Sequence, residues 1–140
     1  MIQFIIGEKG RGKTKVLLEK ANTEVKQAEG NFVYLDKNTQ HMFELNNKIR
    51  LIDISGYPLT DCDEFIGFIL GIISQDHDLE NVYLDSFLKI ARLENGNGVE
   101  KALDQIAAIG KQFSVNFIIS ISLSKEQLPE KFHGDIIAQL

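Results

Sequence analysis

A chain of 140 residues with 44% hydrophobic and 25% charged residues has the size and composition of one soluble globular domain, which we expect to span residues 1–140. No apolar stretch approaches membrane length and no basic segment precedes an apolar one, so we expect a cytoplasmic protein without membrane insertion. The single cysteine, Cys62, and three scattered histidines form neither a disulfide nor a metal-ligand pattern.

The net charge of −5 is unevenly distributed along the chain. Residues 1–30 carry six Lys and Arg against four Asp and Glu, whereas the remainder carries nine against sixteen. The positive excess surrounds one short segment through Lys9, Arg11, Lys13 and Lys15, as a site for a polyanion requires. No basic stripe with interleaved aromatic residues occurs elsewhere, so composition gives no support for nucleic-acid binding.

The chain opens with a short apolar run, Ile2 and residues 4–6, which has the length of a buried strand. Apolar residues at helical spacing follow from residue 13, and we predict a helix over residues 13–28. Between strand and helix the chain reads G-x-x-x-x-G-K-T, the signature of a phosphate-binding loop. The loop consists of Gly7, Glu8, Lys9, Gly10, Arg11, Gly12, Lys13 and Thr14, and Lys15 follows it directly.

The chemistry of a triphosphate explains each residue type in this loop. Gly7 and Gly12 let the backbone curl closely around a phosphate chain, so that its N–H groups and the start of the helix face the anion. Lys13 would contact the β and γ phosphates, and the Thr14 hydroxyl would ligate Mg²⁺. The alternative is a glycine turn before a lysine-rich helix. The strand, loop and helix context favours a nucleoside triphosphate site, with ATP and Mg²⁺ as ligands.

The middle of the chain alternates predicted strands and helices. We predict strands over residues 31–35, 48–54 and 81–85, with Asp36 and Asp85 at the ends of the first and the last. One or two helical turns are expected at 41–45, and a helix opens near Thr60, which with Asp63 fits a capping box. That helix is apolar around most of its circumference, which predicts core burial or, as the alternative, an oligomer surface.

The last third of the chain contains one helix and one strand of clear pattern. Residues 99–113 are amphipathic with helical period, and 115–121 form an apolar run that leads to Ser122. Residues 86–95 have no clear assignment, and 129–140 fit either a final helical turn or an edge strand.

Alternation of this kind predicts an α/β fold with a mostly parallel sheet. Ligands of such sheets bind at the carboxyl ends of the strands. The polar residues that we predict at or just past such ends are Lys13, Thr14, Asp36, Asp85 and Ser122. Because an Asp after an apolar strand is a ligand for the water shell of Mg²⁺, we predict that Asp85 faces Thr14 across the metal.

This order of elements resembles the core of the RecA-like P-loop ATPases over about residues 1–125. The segments that carry the resemblance are the phosphate loop, Phe32-Val33-Tyr34-Leu35-Asp36, the strand near Leu51, Leu84-Asp85-Ser86 and Phe117-Ile118-Ile119-Ser120-Ile121-Ser122. Short bacterial P-loop proteins of this kind are sometimes described as related to twitching-motility ATPases. The resemblance implies a three-layer P-loop NTPase fold with a mostly parallel five-stranded sheet. The implied strand order runs through Leu51, Val33, Leu84, Ile118 and Phe4.

The resemblance also implies catalytic roles, and here the sequence departs from the pattern. Lys13 and Asp85 match the catalytic lysine and the metal-site aspartate of these ATPases. Their catalytic Glu lies two residues past the Asp that ends the second core strand, and in this chain Asn38 stands two residues past Asp36. An amide orients a water but accepts no proton, so the site predicts binding more firmly than hydrolysis. Ser122 takes the place of the polar sensor after the last core strand.

Three functions fit these features. The first is a slow ATPase, or an ATP-dependent regulatory module, completed by self-association or by a partner protein, with Arg50 and Arg92 as candidate arginine fingers. The second is a non-catalytic nucleotide sensor whose 55–59 or 94–98 loop responds to the ligand. The third is a small-molecule kinase with a lid from residues 92–98. GTP is disfavoured because the chain has no Asn/Thr-Lys-x-Asp motif.

Overall fold

A computed structural model describes all 140 residues as six strands and four α-helices, joined by loops and short 3-10 turns. The strands are β1 (Ile2–Ile6), β2 (Asn31–Asp36), β3 (Ile49–Asp53), β4 (Leu79–Leu84), β5 (Asn116–Ile121) and β6 (Ile136–Gln139). The helices are α1 (Lys13–Glu24), α2 (Cys62–Ser74), α3 (Phe87–Ile90) and α4 (Val99–Phe113).

The strands form one sheet in the order β3-β2-β4-β5-β1-β6, and every neighbouring pair is parallel. The predicted α/β class and parallel sheet are therefore confirmed. The first five strands also lie in the predicted order, with β5 between β1 and β4. Since a parallel pair needs a crossover connection, the helices are distributed over both faces of the sheet.

The predicted number of five strands is wrong, because the end of the chain adds β6 to the outside of β1. Phe4 pairs with Ile136 and Ile6 with Gln139, and a register shift separates the two pairs. This strand has four residues, which alternate between half-buried and exposed, and the 3-10 turn Glu130–Asp135 precedes it. Both alternatives for residues 129–140 are thus realised in succession. So short a segment, covered on neither face by a long helix, has no strong sequence pattern.

Two hydrophobic cores lie on the two faces of the sheet, which gives a three-layer arrangement. The smaller core, 11 buried residues, packs α1 against one face through side chains such as Leu17, Tyr34 and Tyr83. The larger core, 26 buried residues, packs α2, α3 and α4 against the other face. Strands buried on both faces explain why the sequence shows continuous apolar runs here instead of alternation.

Helix α2 confirms the core prediction for one side of its circumference only. Phe65, Ile66, Ile69 and Ile73 are buried, whereas Leu70 on the other side is exposed. Its N-terminal cap differs from the predicted one. The side chain of Asp61, not of Thr60, accepts the bond from the backbone N–H of Glu64, because Thr60 lies one residue too early to reach it.

Helix α1 is shorter than the predicted 13–28. It ends at Glu24, and the 3-10 turn Val25–Gln27 continues it before Gly30. None of the helices combines the length and hydropathy that a membrane span requires.

A glycine pair offers a test of the packing between α4 and the sheet. A Cβ on Gly110 of α4 would lie 2.8 Å from the carbonyl oxygen of Val115, whereas a Cβ on Gly67 of α2 meets no atom within 4 Å. We expect Gly110→Ala to lower the free energy of unfolding by about 1–3 kcal/mol through overpacking. Gly67→Ala, the matched control, should raise it by about 0.5–1 kcal/mol because Ala loses less backbone entropy. Urea denaturation of both variants measures the difference, and equal effects would contradict the close α4 contact.

Candidate functional site

The loop between β1 and α1 has the backbone conformation that its glycines predict. Gly10 and Gly12 adopt left-handed conformations, with φ of 78° and 93°, and Gly12 is the residue at which α1 begins. Gly7 has φ of 149°, and a Cβ there would lie 2.8 Å from the carbonyl oxygen of Leu140. Residues with a side chain are strained in these conformations, so the loop depends on glycine at these positions. Its shape directs the first backbone N–H groups of α1 toward the space above the sheet.

Lys13 is the best-buried cation of the chain. It is 8% exposed, and its Nζ donates to the carbonyl oxygen of Glu8 at 2.8 Å, so the ammonium lies across the loop. Burial lowers the pKa of Lys13, while the nearby carboxylate of Asp85 acts in the opposite direction. A cation in a poorly hydrated place is a strong electrostatic partner for phosphate oxygens.

Asp85 follows β4 directly and is 1% exposed. Three hydroxyl groups donate to its carboxylate. Those of Thr14 and Ser120 reach Oδ1 at 3.1 Å and 2.7 Å, and that of Tyr34 reaches Oδ2 at 2.6 Å. The donors come from the start of α1, from β5 and from β2. Burial first, and then the charge of Asp85, raises the pKa of Tyr34, which favours the protonated phenol that donates to Asp85.

Asp36 ends β2 and is 2% exposed. Its Oδ1 accepts the backbone N–H of Lys37 at 2.7 Å, but its Oδ2 is buried without a hydrogen-bond partner. Burial, reinforced by the charge of Asp85, raises the pKa of Asp36 to about 6. This side chain therefore changes charge close to neutral pH.

The strand register explains why these side chains converge. Tyr34 is paired with Tyr83, and both belong to the core under α1. Asp36 and Asp85 come two residues later on their strands and so point to the same face. Ser120 takes the corresponding place on β5, two residues beyond the partner of Tyr83. All three lie at the carboxyl rim, on the face from which α1 and its loop project.

A cleft of about 620 Å³ opens above this rim. Eight predicted site residues line it: Glu8, Lys9, Gly10, Gly12, Lys13, Thr14, Asp85 and Ser122. The prediction did not include six further lining residues, which are Lys37, Ser86, Leu88, Lys89, Glu94 and Ser120. One of the fourteen lining residues is hydrophobic and seven are charged, four of them lysines, which suits a negatively charged ligand.

Five predicted site residues lie outside the lining of the cleft. Gly7 is buried at the end of β1, Arg11 pairs with Glu8 at 3.7 Å, and Lys15 is exposed on α1. Asp36 is buried at the end of β2, and the side-chain oxygen of Asn38 accepts the backbone N–H of Gln40 at 2.9 Å.

Some of the missed residues had a sequence signal and others had none. Lys37 follows the predicted strand end at Asp36 directly, so its place near the rim was predictable from position, whereas Lys89 lies in the 86–95 segment, which had no clear assignment. Tyr34 and Ser120 lie inside apolar runs, where a lone polar side chain gives no indication of its partner. Ser86 adopts a left-handed conformation with φ of 53°, and its N–H donates to the Ser120 hydroxyl. Such a conformation in a non-glycine residue is typical of functional sites.

Thr14 and Asp85 offer adjacent oxygen ligands that suit a hard cation. The structure contains no group of three or more His, Cys, Asp and Glu side chains that would hold a metal on its own. Mg²⁺ is commonly bound through one or two protein oxygens together with waters and phosphate oxygens. The two oxygen groups therefore suit a Mg²⁺ ion whose other ligands are waters or oxygens of a bound ligand.

Comparison of the sequence with protein-family models and with curated proteins finds no match in either case. Function therefore has to be inferred from the residues of the cleft.

The raised pKa of Asp36 predicts a pH-dependent stability. The folded state favours the protonated form of Asp36, so the free energy of unfolding is not reduced by this residue below pH 4. Its contribution to stability is lost as the pH rises from about 4 through about 6, where Asp36 becomes charged in the folded state. We expect Asp36→Asn to be more stable than wild type at pH 7.5 by about 2–3 kcal/mol, and the gap to close toward pH 4. Urea unfolding without nucleotide at several pH values measures this. A gap that stays constant with pH would mean that Asp36 is charged throughout.

Proposed function

We propose that this protein binds Mg²⁺-ATP as a P-loop protein and that it is a slow ATPase or an ATP-dependent regulatory module. One observation carries the proposal. The G-x-x-x-x-G-K-T loop runs from β1 into α1 and brings the Thr14 hydroxyl within 3.1 Å of the buried carboxylate of Asp85. A hydroxyl and an acidic group in contact, beside a buried lysine and a loop of backbone N–H groups, is the constellation that a metal-bound triphosphate requires.

The strand order supports a P-loop NTPase fold of the RecA-like type. In RecA-like ATPases, one other strand lies between the strand that carries the acidic residue and the strand of the phosphate loop. Here β5 lies between β4 and β1. In P-loop kinases and GTPases these two strands would be direct neighbours, so the observed strand order is evidence against the small-molecule kinase.

Different residues of the cleft would bind the phosphates and the metal. The N–H groups of the loop and Lys13 would bind the phosphates, and Thr14 and Asp85 would hold Mg²⁺. The metal, when bound, neutralises charge on the phosphate oxygens and orients the terminal phosphate. The Lys13 ammonium has three N–H donors, of which the carbonyl of Glu8 accepts one, so it would have donors left for charged phosphate oxygens.

Two features of the site support slow hydrolysis. No carboxylate takes the position of the catalytic Glu, since Asn38 stands there with its oxygen bonded to Gln40. No arginine lines the cleft either. Arg92 donates to the carbonyl of Leu59, and Arg50 lies on the edge strand β3. The positive charge that stabilises the transition state would come from Lys37 and Lys89, which line the cleft, or from a partner.

Self-association or a partner protein remains part of the proposal, and one surface feature supports it. Phe43 is 91% exposed in the connection between β2 and β3, and its neighbour Met42 is also exposed. Apolar side chains presented in this way are common at protein contacts.

A nucleotide sensor is the second candidate, and Glu94 is the observation that favours it. This residue belongs to the loop before α4 and lines the same cleft as the phosphate loop. A ligand in the cleft would therefore contact a segment outside the phosphate loop. The 55–59 loop has no residue in the cleft, so Glu94 and the residues after it are the candidate signalling element.

The first test of the proposal is the removal of the loop lysine. We expect Lys13→Ala to weaken Mg²⁺-ATP binding at least 100-fold, because two charge-assisted hydrogen bonds to phosphate are worth about 3 kcal/mol or more. Titration calorimetry measures the affinity, and Lys111→Ala, an exposed lysine on the last turn of α4, is the matched control. Equal affinities of wild type and Lys13→Ala would overturn the proposal.

The second test concerns turnover. We expect wild type to hydrolyse ATP slowly and Asn38→Glu to raise the rate tenfold or more with little change in affinity. General-base assistance is typically worth about 10²–10⁴-fold. Asn38 lies outside the lining of the cleft, but it follows the lining residue Lys37 directly, and a Glu is one methylene longer and would extend a proton acceptor toward the cleft. Asn38→Gln is the control, with the same length and no charge. A rapid wild-type enzyme, or no gain from Glu, would assign proton acceptance to Asp36 or to Glu94.

A further inference from the structure

The carboxylate of Asp85 is held by more than its contact with the phosphate loop. Apart from Thr14, its two oxygens each receive one hydroxyl from a neighbouring strand. Ser120 of β5 donates to Oδ1 at 2.7 Å, and Tyr34 of β2 donates to Oδ2 at 2.6 Å. These bonds are shorter than the one from Thr14 and lie on opposite sides of β4. The plane of the carboxylate is therefore fixed independently of the loop.

Tyr34 is suited to this task because it is rigid. Its side chain is completely buried, and its ring is stacked on that of Tyr83 with 6.1 Å between centroids and 18° between planes. A tyrosine has two side-chain torsions, and complete burial beside the Tyr83 ring restricts both of them. The hydroxyl is thus delivered to one point in space, whereas a serine or threonine hydroxyl is free to rotate.

We infer that Tyr34 and Ser120 are positioning residues that hold Asp85 in the orientation required by the Mg²⁺ of the bound nucleotide. This inference rests on the proposed function. Both residues act through Asp85 and do not contact the metal themselves. Groups that hydrogen-bond to a metal-site carboxylate set its direction and its basicity, and their removal typically costs about 10–100-fold in metal affinity.

In a purely structural role, the two hydroxyls would supply hydrogen bonds to the buried carboxylate and would not affect metal-dependent binding. Both roles predict a less stable variant when the hydroxyl is removed, since an unpaired acceptor is left in the interior. They differ in what happens to the ligand. Positioning affects the Mg²⁺-dependent part of nucleotide affinity and leaves the part supplied by Lys13 and the loop unchanged.

The chain contains a matched control for this experiment. Tyr83 is as deeply buried as Tyr34, belongs to the same stacked pair, and its hydroxyl also donates to a carboxylate at 2.6 Å. That carboxylate is Glu24 of α1, far along the helix from the phosphate loop. Tyr34→Phe and Tyr83→Phe each remove a buried hydroxyl that donates to a carboxylate, one at Asp85 and one elsewhere. Tyr83→Phe also removes the oxygen that accepts from the Asn81 side chain, so it is the more severe test of stability.

The experiment measures ATP affinity by calorimetry in excess Mg²⁺ and in EDTA for wild type, Tyr34→Phe, Tyr83→Phe and Ser120→Ala. The ratio of the two affinities reports the metal-dependent part of binding. We expect Tyr34→Phe and Ser120→Ala to reduce this ratio about 10–100-fold, with the affinity in EDTA unchanged. Tyr83→Phe should keep the wild-type ratio. Thermal unfolding of each variant identifies any that has lost the fold, in which case the other hydroxyl variant decides.

The outcomes separate the inference from the function on which it rests. If wild type binds ATP and the Tyr34→Phe ratio equals that of wild type, the positioning role is overturned and the proposed function stands. A fall in both affinities by the same factor, or the same fall in Tyr83→Phe, assigns Tyr34 a structural role. Absence of ATP binding by wild type would overturn the proposed function and the inference together.

Discussion

The buried carboxylate of Asp85 is the constraint on which the arrangement of the site depends. A carboxylate at 1% exposure is costly unless hydrogen bonds replace the lost water, and here three hydroxyls do so. Because the donors belong to α1, β2 and β5, their elements have to meet at one point above β4. The requirement to satisfy one side chain thus fixes the start of α1, and with it the phosphate loop, relative to the sheet.

The position of Asp85 follows from the alternation of side chains between the two faces of a parallel sheet. Strands in register present residues of the same parity to the same face, so the aromatic residues Tyr34 and Tyr83 under α1 are succeeded at the rim by Asp36 and Asp85. A slip of one residue would send both carboxylates to the opposite face, into the larger core. The core under α1 and the site above it are therefore coupled. The packing of the two tyrosines determines the direction in which Asp36 and Asp85 point.

The parts of the site that the sequence predicted are those encoded in adjacent residues. The loop from Gly7 to Thr14 is contiguous, and each glycine has a local backbone reason, so the motif could be identified without knowing the fold. Asp85 could be placed because it ends an apolar strand. The strand order for five strands followed from a resemblance, and the sixth strand was missed because β6 has four residues and only half-buried side chains.

The parts that the sequence could not predict depend on which strands are neighbours. Tyr34 reads as an apolar core residue within its strand, and only the pairing of β2 with β4 brings its hydroxyl to Asp85. Ser120 likewise gains its role through the pairing of β4 with β5. Asn38 was placed by counting residues from Asp36, but the turn that follows β2 engages its side chain with Gln40. Counting along the chain predicts strand ends well and loop side chains poorly, since a loop changes direction within two residues.

Asp85 and Asp36 differ in how completely their carboxylates are hydrogen-bonded. Both acids are buried at strand ends on the same face, yet one has every oxygen satisfied and the other has an oxygen with no partner. A fully hydrogen-bonded carboxylate keeps its direction, as a metal ligand must. The pKa of Asp36 is raised to about 6, chiefly by burial. A cation bound at Asp85 would lower that pKa and favour the charged form, so metal binding and the proton on Asp36 oppose each other. The carboxylate of Asp85 is therefore pre-oriented by its three donors, whereas Asp36 carries a proton in part of the molecules near pH 6 and would lose it more readily beside a cation.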